Sequence, residues 1–105
     1  MTDRTRKEQL AEMLAEEPND PELHYMLAME YASAGDDEGA ARCFQELLAR
    51  APAYAPAYHQ AGRALHRLGR IAEARAILER GIPVALQAGN SHAAGEMQDQ
   101  LDNLD

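Results

Sequence analysis

His59, Arg63 and His66 stand at spacings that can bring them to one side of a helix, and they are the residues of this chain best placed to do chemistry. A metal site is a poor reading of them: helical metal pairs favour a four-residue spacing with carboxylates nearby, His59 and His66 are seven apart, and Arg63 between them repels a cation. Arg63 is suited instead to grip a carboxylate, and Tyr25 and Met29, four apart on a helix face of their own, can offer apolar contact. The other reactive types read as structural. Cys43 sits beside Phe44 as a small buried hydrophobe and, being the only cysteine, cannot form an internal disulfide. His24 fills a slot between helices and His92 lies near a helix start. No glycine-rich phosphate loop follows a strand and no nucleophile has a recognisable catalytic setting. The expectation is a non-catalytic protein with neither metal nor cofactor.

The elements that must position these side chains are all helical. Asn19 and Asp20 are good N-caps, Pro21 suits a first turn, and Leu23, Leu27, Ala28 and Tyr31 keep the three-to-four spacing of one buried face until Gly35 can close the helix in a left-handed C-cap. Asp36 and Asp37 open a second helix carrying Ala40, Phe44, Leu47 and Leu48, with Pro52 just beyond its end. Pro56 opens a third, Gly69 closes it, and Ile71, Ala74, Ile77 and Leu78 stripe a fourth. Helices are expected near 4–16, 21–34, 37–50, 55–68, 71–88 and 91–103. Two carry particular expectations: Leu10, Met13 and Leu14 share one side of the first, and Pro83 should kink the long fifth near Glu79 or break it, a kinked, overlong helix being the favoured outcome. In the last, Asn90 or Ser91 is the N-cap, Met97, Leu101 and Leu104 form the stripe, and Glu96, Asp99, Asp102 and Asp105 keep the outer face wet.

Pro18, Gly35 and Ala40 recur 34 residues later as Pro52, Gly69 and Ala74. The first copy reads His24, Leu27, Ala28, Tyr31, Ala40, Phe44, Pro52, and the second Tyr58, Ala61, Gly62, Leu65, Ala74, Leu78, with Leu86 where the closing proline belongs. This pattern resembles the tetratricopeptide repeat, a 34-residue helical hairpin that buries its apolar face only by stacking on copies of itself. The resemblance implies an all-α fold, a short α-solenoid of antiparallel helical hairpins in a single domain, 1–105. Its parts are an N-terminal capping helix (1–18), repeats at 19–52 and 53–86, and a C-terminal capping helix (87–105). It also implies a protein-interaction role, with the first helix of each hairpin lining a concave wall. Projected onto this sequence, the peptide-binding groove comprises Tyr25, Met29, His59, Arg63, His66 and, from the closing helix, Met97. Chaperone-binding members of the family clamp a terminal carboxylate with Lys and Asn on that wall; Tyr25 and Met29 stand there instead, so that specific function is not implied. A self-associating homodimeric scaffold is the alternative.

Composition bounds the rest. With 105 residues, 46% hydrophobic but one Phe and no Trp, the chain can build a thin, Ala-rich core. A formal charge of −8 argues against nucleic acid. Charge is also segregated: from Glu8 to Glu46 acids face Arg42 alone, whereas from His59 to Arg80 the bases Arg63, Arg67, Arg70, Arg75 and Arg80 outnumber Glu73 and Glu79. A bipolar molecule is expected, its Arg-rich part able to meet an anionic partner. No apolar run is long enough to span a membrane and no charged-then-apolar leader opens the sequence, so no membrane association and a reducing, cytoplasmic setting are expected.

Overall fold

The computed structural model describes residues 5–104; the expected helix start at residue 4 and the outward-facing Asp105 lie outside the described residues. Six helices follow one another: α1 (Arg6–Glu16), α2 (Pro21–Ser33), α3 (Asp37–Arg50), α4 (Ala55–Arg67), α5 (Ile71–Gln87) and α6 (Ser91–Asp102), with no strand among the described residues. Local chemistry sets the boundaries. Asp20 accepts from the backbone N–H of Glu22 at 2.9 Å and Asp36 from that of Gly39 at 2.9 Å. Asn90, not Ser91, caps α6 by accepting from Ala93 at 3.0 Å. Thr5 and Glu8 cap α1 reciprocally. Gly35 and Gly69, at φ of +81° and +76°, let the chain turn back so that Asp36 N–H reaches Tyr31 C=O and Arg70 N–H reaches Leu65 C=O, both at 2.9 Å.

Each helix packs on the next in sequence, and α4 also touches α6, in an elongated body of 48 × 28 × 20 Å. The two layers differ. On the side of α3 and α5 the helices splay around a depression of about 420 Å³ lined by Leu48, Ala49, Ala76 and Ile77 and floored by Leu65. On the side of α2, α4 and α6 they meet: Tyr25 of α2 reaches Tyr54 at the head of α4, and Gln100 of α6 abuts Gly62 of α4. The first helices of the hairpins, α2, α4 and α6, make one face of the stack, the inner face.

The repeat is visible in hydrogen bonds as well as in burial. His24 Nε2 lies 2.7 Å from the carbonyl of Pro18, and the Tyr58 hydroxyl donates to the carbonyl of Pro52 at 2.6 Å, the same six-residue reach in each copy. Arg50 donates to the same Pro18 carbonyl at 2.7 Å. Small residues hold the hairpins together: a Cβ on Gly62 would stand 2.6 Å from Leu78 Cδ2, and one on Gly81 would stand 2.5 Å from Tyr58 Cβ and 2.7 Å from Met97 Sδ.

Two expectations need correction, and one choice is settled. Met13 does not share the buried side of α1 with Leu10 and Leu14 but is 47% exposed, because α1 has a neighbour, α2, on one side only. The phase of α6 also differs from the 34-residue projection. Starts of α2 and α4 are 34 residues apart, whereas those of α4 and α6 are 36 apart, since α5 runs three residues longer than α3. As for Pro83, α5 passes through it unbroken, with the proline on the exposed side.

Candidate functional site: the inner face of α2, α4 and α6

Tyr25 is more a wall than a probe. Its ring centroid lies 5.9 Å from that of Phe44 and 5.5 Å from that of Tyr54, both tilted, so the half-buried phenol is wedged between the core and the head of α4. Burial holds the Tyr25 phenol above its usual pKa, with a hydrogen bond to the Gln60 side chain acting the other way. Tyr54 is raised by burial and by the carboxylate of Glu22. Met29, one turn beyond Tyr25, is half-buried against the core.

On α4, His59 is half-buried, and Arg63 and His66 are exposed. The Nδ1 of His59 and both polar side-chain atoms of Gln100 are buried without a hydrogen-bond partner. An unmet buried amide of this kind costs about 1–3 kcal/mol. The neighbouring cations are occupied: Arg67 pairs with Asp37 at 2.9 Å, and Arg70 with Glu38 at 2.5 Å and, more loosely, with Glu73 at 3.8 Å. Arg80 lies over the Tyr58 ring, 5.7 Å from its centroid. Among the described residues Arg63 has no such partner. The segregated charge of the sequence is therefore partly cancelled, because α4 and the turn after it reach back to the acidic start of α3.

Met97 leaves the groove. It is fully buried against Gly81 and Tyr58. The 34-residue projection pairs it with Arg63, but the observed 36-residue spacing pairs it with Ala61, which is also fully buried. By the same spacing the inner-face counterpart of Arg63 on α6 is Asp99, exposed, and expected from the sequence on the outer face. Tyr54 and Gln60 were passed over in the sequence. Their signal was present in part: Tyr54 stands one turn before Tyr58, and Gln60 shares the exposed side of α4 with Arg63 and Arg67.

The half-buried Cys43 has its thiol pushed up in pKa by burial and then by Glu46, against the pull of Arg42, which keeps it a neutral thiol. No group of three or more His, Cys, Asp or Glu residues suited to a metal occurs among the described residues.

A sequence profile of the tetratricopeptide repeat matches residues 31–95. The chain belongs to the tetratricopeptide repeat family. The solution structure of a tetratricopeptide repeat domain protein from Salinibacter ruber superposes with a TM-score of 0.77 at 31% identity, covering 83% of this chain and 88% of that one. The crystal structure of the Salinibacter ruber domain gives 0.76 at 30%, covering 81% and 94%. A Bordetella parapertussis protein solved in solution gives 0.82 at 27%, covering 97% and 89%. No curated protein matches the sequence. Tetratricopeptide repeat proteins are in general non-catalytic interaction modules, and no helix among the described residues of this one is long and apolar enough to cross a membrane.

Proposed function

We propose that this chain is an adaptor that holds a peptide segment of a protein partner, acidic and apolar in character, against the inner face of α2, α4 and α6. The observation that carries the reading is Arg63: an exposed guanidinium without a partner among the described residues, while Arg67 and Arg70 are tied to acids of α3. On this reading Tyr25 and Met29 of α2, both half-buried, supply the apolar surface of the same face, and His59 and His66 flank Arg63 along α4. A carboxylate gains a charge-assisted hydrogen bond there and an apolar side chain loses water. A face of three helices is smaller than a standard protein interface, so affinity near 1 μM, about −8 kcal/mol, weakening with salt, is expected. The lone cysteine suits a reducing compartment, the cytoplasm.

The test is enrichment from a peptide library by the wild type and by Arg63→Ala. Acidic-apolar peptides enriched by the first and lost by the second support the reading; equal enrichment of basic and acidic peptides sinks it.

A homodimer is the second reading. It is favoured by a depression of about 400 Å³ lined by Pro52, Ala53, Val84 and Ala88, with Leu86, 57% exposed, on the same stretch of α5. Sedimentation across a concentration series separates the two, since a monomer at every concentration removes it.

A further inference from the structure

The 36-residue step from α4 to α6 gives the inner face an order that the individual residues do not show. Met29, Arg63 and Asp99 occupy one phase on three successive inner helices: an apolar residue on α2, a cation on α4 and an anion on α6. Met29 is half-buried, Arg63 and Asp99 are exposed, and no partner engages either charged side chain among the described residues. The seam between α4 and α6 is tight, with Gln100 seated against Gly62, so the basic and acidic stations are neighbours on one surface.

We propose that the partner segment is an extended segment of polyproline II form laid across the three helices. Its side chains read, from α2 to α6, apolar, then acidic, then basic, about three residues apart. This rests on the inner face being the binding face, as proposed above, and adds a register and a third, basic requirement to it. The spacing follows from geometry: helices in contact, as α4 and α6 are, lie about 8–10 Å apart, α2 is joined to α4 through Tyr25 and Tyr54, and a polyproline II chain advances about 3.1 Å per residue with three residues per turn, so every third side chain faces the helices at about that interval. The order follows from charge. Arg63 accepts the acidic residue and Asp99 the basic one, and a segment of uniformly negative charge is repelled at α6. An acidic partner without a basic residue at this point is therefore a poor ligand.

The test uses fluorescence anisotropy with the full chain and three synthetic peptides of one length: Leu-x-x-Glu-x-x-Lys; the same with Glu for Lys; and the permutation Glu-x-x-Leu-x-x-Lys, where x is Ala or Ser. The first should bind about three- to fivefold tighter than either of the others, the range open to one exposed ion pair. Asp99→Lys should reverse the preference between Lys and Glu at the last position while circular dichroism stays unchanged. If the three peptides bind alike, or Asp99→Lys leaves the preference in place while Arg63→Ala still abolishes binding, the ordered register is overturned and the groove reading survives. If none of the peptides binds, or Arg63→Ala has no effect, the groove reading fails and the register with it.

Discussion

The two repeats share a backbone period and are held by different means. In the first, both helices begin on a side-chain cap, Asp20 and Asp36; in the second, the corresponding positions are Tyr54 and Arg70, and neither makes a side-chain capping bond. Burial is distributed the opposite way. In α2 only Leu23 and Ala28 are buried, whereas α4 buries Ala55, Ala57, Tyr58, Ala61, Gly62, Ala64 and Leu65. The difference follows from position in the stack: α4 has α3, α5 and α6 around it, while α2 has only the eleven-residue α1 and α3 in extensive contact. A repeat near the end of an array must fix its helices locally, and one in the middle can leave that to its neighbours.

The largest effect should come from the aromatic slot that opens each repeat. Tyr58→Ala, removing a side chain that is 1% exposed, should cost about 3–5 kcal/mol in urea unfolding, whereas His24→Ala should cost about 1 kcal/mol or less. Equal losses would break the contrast between repeats. The caps should show the reverse order: Asp36→Ala should cost about 1 kcal/mol, and Arg70→Ala, which loses exposed ion pairs and no cap, less than that. A larger loss at Arg70 would mean that the second repeat leans on its ion pairs. Gln100→Leu, which removes the unmet polar atoms beside Gly62, should raise stability by about 1 kcal/mol in thermal unfolding; a fall would mean that the carboxamide has found a partner in solution.

The smallest effect concerns pH. The folded Tyr25 phenol titrates above the unfolded one, so above the unfolded value of 10.0 the unfolded chain releases the proton first and stability falls as pH rises further. Tyr25→Phe should flatten the alkaline limb of a stability-pH curve, and an unchanged slope would show that the ring is solvated.

Much of the helical frame could be read from the sequence because its boundaries are local. Asp20, Gly35, Asp36 and Gly69 act through bonds to residues within five positions, and each helix end lies within a residue or two of expectation from α2 onward. What depended on distant neighbours was harder to see. Met97 belongs to the apolar stripe of α6, as its spacing with Leu101 and Leu104 implied, and was carried into the groove as well because the period of the first two inner helices does not extend to the third. Arg67 and Arg70 counted as surface charge until their reach to Asp37 and Glu38 was visible. Tyr25 carried the right residue type for a binding wall, but nothing in its spacing announced that Phe44 and Tyr54 would hold its ring.

The longer α5 acts as a phase shifter for anyone who would extend this array. At about 100° per residue, two additional residues rotate whatever follows by about 200°, enough to exchange the wetted and packed faces of a helix. A third hairpin spliced after Gln87 in the 34-residue frame would turn its adhesive stripe to solvent and its charges into the stack. Trimming two positions between Pro83 and Gly89 should restore the frame, which makes that short stretch the natural joint for grafting longer arrays.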